Sequence, residues 1–334
     1  MNGELSHGLA GLATRGNRIV QAGTGAEIRL RGVNRSGLEY VWPDEQGFLS
    51  GASISRAEIG CIIQGVSEQQ QWRCNVVRIP LNQDFVFHGR AGHSGDEYQR
   101  ALDQVISWNA AFGAYTLLDL QWLDAERLYG HTRDGKDNYV APLPNSESIE
   151  LWKVLGSRYK EEPAVLYDLF NEPHDRLPDD PYPLNRADGG AYPDSQRAVT
   201  VAEWTPWAKQ LTAALRGEHP GALVFIGGLN WAYDLRAMPM EIDNAVYSTH
   251  VYPDKGGNWD GAFGKLSEKA PVFVGEFGGG DKDLKFGQRL LEYLDAREIG
   301  WAAWSWSDKP PLMSRYVLTR FGGIVTTALG NRST

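Results

Sequence analysis

Apolar residues in this chain gather in short unbroken runs rather than in strict alternation. The runs cover 28–34, 75–81, 114–121, 165–171, 223–228, 245–251, 271–277 and 300–306. A continuous apolar run of this length predicts a strand buried on both faces, as in a parallel sheet. Between the runs the spacing changes to three and four. Ile149, Trp152, Leu155 and Tyr159 follow an Asn145-Ser146 start signal and precede the Pro163 stop, which predicts a helix. Segments 98–112, 204–215 and 284–294 share that period. Residues 14–31 read as a small hairpin, punctuated by Gly16-Asn17 and Gly23-Thr24-Gly25.

Strands alternating with helices, eight times and without a linker, predict an α/β fold: a (β/α)8 TIM barrel. The expectation is one catalytic domain over 1–334, with the 14–31 hairpin as an N-terminal cap. A doubly wound sheet is the alternative. It requires a glycine-rich phosphate turn after the first strand, and Gly32-Val33-Asn34-Arg35-Ser36-Gly37 is a poor match. Two long polar loops, 131–148 and 173–200, follow the third and fourth strands. On a barrel both stand on the C-terminal face, where active sites are built.

Composition narrows the partners. Hydrophobic residues make up 42% and charged residues 22%, the balance of a folded globular chain. Lys plus Arg number 33 against 42 Asp plus Glu, and the net charge of −9 lacks the basic footprint that nucleic acid demands. No apolar run nears the roughly 18 residues of a membrane span, so no membrane partner is expected. The start of the chain lacks the pattern of a secretory signal. Secretion with the signal removed is the expectation, a cytoplasmic location the alternative. Cys61 and Cys74 are too few for a disulfide framework; two buried thiols are expected, a single disulfide being the alternative. Asp134 and Asp137 in one long loop, and Asp179, Asp180, Asp188 and Asp194 in the other, read as solvated charge. Neither a metal nor a cofactor is expected, and no Gly-x-Ser-x-Gly elbow supports a serine hydrolase. Twelve tryptophans exceed what core packing needs, and stacking on the apolar faces of sugar rings accounts for the surplus.

Polar residues collect where the apolar runs stop. These ends carry Asn34, Arg78 with Asn82, Asp119 to Gln121, Asn171-Glu172, Asn230, His250 with Tyr252, Glu276, and Trp304 with Trp306. A barrel brings them to one rim. Glu172 and Glu276 end the fourth and seventh strands and can face each other across its mouth. Two carboxyl groups about 5–5.5 Å apart suit a retaining glycosidase, and roughly 6.5–9.5 Å suits an inverting one. One must hold a proton for the leaving oxygen while the other attacks as an anion, so their environments must differ. Arg78 is placed to hold one of them ionised. Strand alternation puts Trp304 and Trp306 on one face, so that one can stack on substrate while the other packs in the core.

The motifs Leu30-Arg31-Gly32-Val33-Asn34, Val77-Arg78-Ile79-Pro80, Asn171-Glu172-Pro173, His250-Val251-Tyr252, Gly275-Glu276-Phe277-Gly278 and Trp301-Ala302-Ala303-Trp304-Ser305 occur in that order. In series they resemble glycoside hydrolase family 5, of the large retaining (β/α)8 clan, in its endoglucanase-like members. The resemblance runs from about residue 28 to 310 and implies a role for each position. Glu172 would be the general acid/base and Glu276 the nucleophile. Asn171 would bond the sugar 2-hydroxyl, Arg78 and Tyr252 would orient Glu276, and His250 would lie near the acid/base. Trp304 would form the platform under the sugar at the cleavage point. Asp308-Lys309 looks like the pair in bacterial endoglucanases whose lysine helps bind glucose on the non-reducing side. Trp42, beyond Ser36-Gly37-Leu38-Glu39-Tyr40, would stack further out, and Asn34 and Gln121 are counted with the substrate-binding positions.

One position departs from the family. The third strand ends Asp119-Leu120-Gln121, where the family carries Asp-x-His, and glutamine cannot titrate. The function expected is retaining hydrolysis of β-1,4-glucan, cellulose-type or mixed-linkage, by a monomer acting on polysaccharide or oligosaccharide. A β-mannanase or β-mannosidase of the same family is one alternative, a catalytically silent carbohydrate-binding barrel another.

Overall fold

A computed structural model describes residues 8–67, 72–127 and 139–330. Strands β1 (Leu12–Arg15) and β2 (Arg18–Gln21) form an antiparallel hairpin that turns at Gly16-Asn17. Eight parallel strands then follow: β3 (Arg31–Asn34), β4 (Val76–Asn82), β5 (Tyr115–Trp122), β6 (Val165–Asp168), β7 (Val224–Gly227), β8 (Ala245–Val251), β9 (Val272–Phe277) and β10 (Gly300–Ala303). Each pairs with the next, and β10 pairs back onto β3 with Trp301 opposite Arg31, closing the barrel. The predicted (β/α)8 barrel is the observed fold. Each of the eight predicted runs coincides with one of these strands, β4 and β5 reaching one residue past the predicted end, because only two-sided burial tolerates uninterrupted apolar sequence.

Helices α1 (Phe48–Gly51), α2 (Arg56–Gln64), α3 (Gln83–His88), α4 (Gly95–Ala111), α5 (Ser146–Tyr159), α6 (Val201–Glu218), α7 (Lys265–Ser267), α8 (Leu284–Ala296) and α9 (Arg320–Gly330) occupy the connections and the C-terminal end. Helix α5 begins at Asn145, whose side chain accepts from the Ser148 N–H. Helix α4 begins with a reciprocal Ser94–Glu97 capping box, which satisfies two otherwise orphaned donors. Cys61, half-buried, and Cys74, buried, are not joined in a disulfide.

Along each strand the residues that face the barrel interior change from apolar to polar. Val76, Leu117, Leu166 and Val246 belong to the apolar cluster inside the barrel, which also holds Phe225, Phe273 and the hairpin residues Leu12 and Ile19. The hairpin therefore seals the N-terminal mouth. Two residues further along, on the same face by strand alternation, come Arg78, Asp119, Asp168 and Ser248, all fully buried. The next step reaches Gln121 and His250 and the open C-terminal rim.

Candidate active site

Arg78 is the hub beneath the rim. It is fully buried on β4 and donates through Nε to Asp168 Oδ2 (3.0 Å), through Nη1 to Asn34 Oδ1 (3.0 Å) and Glu276 Oε1 (2.9 Å), and through Nη2 to Asn171 Oδ1 (2.9 Å). Asp119 Oδ1 also lies 2.9 Å from Nη2. A single cation thus meets three carboxylates. Burial raises Asp168 to about 6 and Asp119 well above the carboxylate range, although Arg78 opposes both shifts. Asn34, expected in the substrate-binding set, is fully buried and directs its Nδ2 at the carbonyls of Gly275 and Ala302. Its polar atoms brace the strands below the cleft instead of lining it.

Glu276 ends β9 and is 4% exposed. Arg78 bonds one of its oxygens and the Tyr252 hydroxyl donates to the other at 2.7 Å, which fixes the aim of the carboxylate. Glu172 follows β6 and approaches from the opposite side. Its Oε1 is 2.8 Å from His250 Nδ1, which is itself 3.7 Å from Glu276 Oε2. A shift of register at Thr249/His250 sets His250 opposite Glu276 on the neighbouring strand, as bulges beside active sites do. Oxygens of Glu172 and Glu276 lie within 4.8 Å of each other. That spacing suits the retaining geometry and is too short for an inverting water.

The two carboxyl groups stand in different surroundings. Burial pushes Glu172 up to about 7, against the smaller opposing influence of Arg78 and Lys255. Burial likewise drives His250 down to about 3, so the imidazole beside Glu172 is neutral. Tyr252 is raised well above its ordinary value by burial and by Glu276, so its phenol keeps the proton it donates. Glu172, His250 and Glu276 are also the one trio among the described residues close enough to share a metal ion. In this arrangement Arg78 and Tyr252 already engage both oxygens of Glu276.

These residues open into a cleft of about 520 Å³ whose lining includes Gln121, Asn171, Trp304 and Lys309. Gln121 stands there at the position noted as the departure, and its Oε1 has no hydrogen-bond partner among the described residues. Strand β10 ends at Ala303, so alternation no longer relates Trp304 to Trp306. Trp304 lines the cleft, while Trp306 packs edge-on against Trp72 and donates to Glu58. Trp42 is 36% exposed and stands outside the cleft lining, with the Arg90 guanidinium 3.5 Å above its ring. Asp134 and Asp137 lie outside the described residues. Asp188 pairs with Arg186, and Asp194 lies 3.7 Å from Arg176.

The sequence reading missed Trp231. It lines the cleft beside Glu172 and stacks on His174 at 3.7 Å between ring centroids and 10° between planes. Asn230, Trp231 and Ala232 all take φ between 54° and 61°, a left-handed run that nothing in an Asn-Trp-Ala sequence announces. Glu39 was also passed over as a site residue. It is 1% exposed, yet it lines the cleft near Asp308 and Lys309.

A family model described as Cellulase (glycosyl hydrolase family 5) matches residues 44–310. The chain belongs to glycosyl hydrolase family 5. Among curated relatives of this family 5 chain, an endoglucanase of Paenibacillus polymyxa is 25% identical over 87% of this chain and 78% of its own length. Endoglucanase E-5 of Thermobifida fusca is 21% identical over 85% of this chain, which spans about half, 53%, of that relative. In fold, a β-glucanase of Saccharophagus degradans in complex with cellotetraose superposes with a TM-score of 0.72 at 20% identity, covering 96% of this chain and 93% of that one. The catalytic domain of a Thermobifida fusca endoglucanase, also with cellotetraose, gives 0.68 at 17% identity over 96% and 97%.

Proposed function

We propose that this family 5 chain hydrolyses β-1,4-linked glucan by double displacement with retention. The observation that carries the reading is the pair of glutamates, one after β6 and one on β9, whose oxygens approach within 4.8 Å across the barrel mouth, in unlike environments. Glu276, held by Arg78 and Tyr252, attacks the anomeric carbon. Glu172, raised to about 7 by burial and so protonated below that pH, donates to the departing glycosidic oxygen and then, as carboxylate, takes a proton from the water that releases the glycosyl-enzyme. Asn171 spends Oδ1 on Arg78, which leaves its amide nitrogen to donate to the sugar 2-hydroxyl. Trp304 offers a flat face to the glycone, and Trp231, beyond Glu172, offers one to the leaving sugar.

The relatives named endoglucanases and the neighbours bound to cellotetraose support glucan over mannan as the substrate. A polymer of this kind cannot cross a membrane, which favours a secreted enzyme, and no helix among the described residues is long and apolar enough to span one. The reading is tested with a 2-fluoro-cellobiosyl inactivator and peptide mapping. Its mass is expected on the peptide carrying Glu276; label elsewhere, or a first product of inverted configuration, overturns the assignment. Cellohexaose is expected to be cleaved much faster than mannohexaose, and the reverse order would move the chain to the mannanases.

A further inference from the structure

We propose that His174 is a positioning residue for the leaving-group side of the cleft: it locks the indole of Trp231 to the main chain of Glu172, so that a departing or accepting sugar is set down with its oxygen at the acid/base. The inference deepens the glucan reading above and rests on it. His174 follows Glu172 by two residues and is 1% exposed, so it acts through its neighbours. Its Nδ1 lies 2.6 Å from the Glu172 carbonyl. A carbonyl oxygen only accepts, so Nδ1 carries the proton and donates. The imidazole then lies flat against Trp231, with 3.7 Å between ring centroids and 10° between planes. One face of the indole is thereby covered, and the other is left for the cleft that Trp231 lines. Burial drives His174 down to about 4, so the stacked ring is neutral.

The main chain around Trp231 needs such a support. Asn230, Trp231 and Ala232 take φ of 54°, 61° and 57°, a left-handed run that side-chain-bearing residues keep only where their neighbours over-determine it. The braces are visible. Lys255, after β8, reaches the Asn230 carbonyl and Oδ1 with Nζ, each at 3.3 Å, and Thr249 Oγ1 donates to the Tyr233 carbonyl at 3.0 Å. The Trp231 N–H donates to the Pro173 carbonyl at 3.1 Å, and the His174 N–H to the Pro142 carbonyl at 3.3 Å. Connections before α5, after β6 and after β7 therefore meet at Pro173-His174. These main-chain bonds fix where the Trp231 Cα lies, and the stack on His174 fixes how its ring is turned. On the other side of Glu172, His250 Nδ1 holds the carboxyl at 2.8 Å. Acid and platform are thus parts of one rigid assembly, and small errors in such placement are costly to rate.

The test compares three variants of the intact chain: His174→Asn, which keeps a donor but no ring, His174→Phe, which keeps a flat ring but no donor, and Trp231→Ala. Cellotetraose places sugars on both sides of the cut, whereas β-cellobiosyl fluoride carries a leaving group too small to reach Trp231. His174→Asn is expected to lower kcat/KM about 10-fold on cellotetraose, the upper scale of one aromatic stack, and to leave the fluoride unchanged. His174→Phe is expected to keep most of the cellotetraose activity. With the fluoride as donor and cellobiose as acceptor, the ratio of transfer to hydrolysis should drop in His174→Asn and Trp231→Ala alike, a readout that loss of folded protein would not move. Adding His174→Asn to Trp231→Ala should cost nothing further. Equal losses on cellotetraose and fluoride, additive losses in the double variant, or a His174→Phe no better than His174→Asn each overturn the proposal. Wild-type protein that cleaves neither substrate would instead bring down the glucan reading itself.

Discussion

Glu172 shows how a side chain acquires a task from its surroundings. Its carboxyl holds a proton to about pH 7 because burial disfavours the anion and the neighbouring His250 is neutral, not cationic. The acid form is lost as pH rises through that value, so kcat/KM is expected to fall above about pH 7, read from a pH–rate profile. Glu172→Gln cannot donate. It should slow substrates with poor leaving groups by about 100-fold or more while sparing activated aryl glycosides, and a uniform loss would contradict the acid role. Gln121 lines the same cleft with a buried oxygen that has no hydrogen-bond partner among the described residues. Gln121→His introduces a titrating group there and is expected to shift one limb of the profile; an unchanged profile would show no coupling to either glutamate.

At the scale of elements, strand ends deliver chemistry and helix ends deliver stability. Arg78 on β4 compensates Asp119, Asp168 and Glu276 together. Arg78→Met leaves these carboxylates buried without a counter-ion, and a loss of about 3–5 kcal/mol is expected in denaturant unfolding. A variant as stable as the parent would show that the cluster protonates instead of needing its cation. Ser94→Ala removes only a helix cap on α4, outside the cleft lining, and should cost about 1 kcal/mol with kcat/KM unaltered. The same division explains which elements were legible. The eight strands and α4, α5, α6 and α8 announced themselves by continuous burial or by a clear helical period. Helix α9 did not, since its mixture of Gly, Thr and apolar residues carries no strong stop or start. The short α3 follows β4 directly and was hidden by the strand pattern.

For the whole molecule, the buried groups set a dependence of stability on pH. Glu172 and Glu39 are raised to about 7 and 8, so the folded chain binds more protons than the unfolded one between the ordinary carboxylate range and those values. Their contribution is complete below about pH 4.5 and is lost as pH climbs through 7 and 8. The neutral histidines His250 and His174, lowered to about 3 and 4, act in the opposite sense, but only below the ordinary histidine value of 6.5. Between pH 5 and 6.5 the two groups offset each other. Above 6.5 the carboxyls alone remain, so Tm measured by calorimetry should fall from pH 6.5 to 8.5. A rise would mean that these carboxyls ionise on folding without penalty.

Patterning along the chain determined the barrel, the order of its strands and the pair of glutamates, because burial on both faces and chemistry at strand ends are written in consecutive residues. It could not determine what converges from distant segments. Asn34 reads like its polar neighbours at the rim, and only closure of β10 onto β3 turns it inward to brace the floor. Trp304 and Trp306 separate because the strand stops before both. Trp231 enters the cleft through a left-handed turn, and Glu39 reaches it from a loop whose anchors lie on β4 and α4. Those placements depend on three-dimensional packing and dihedral choices that local residue type leaves free, so tertiary structure alone decided them.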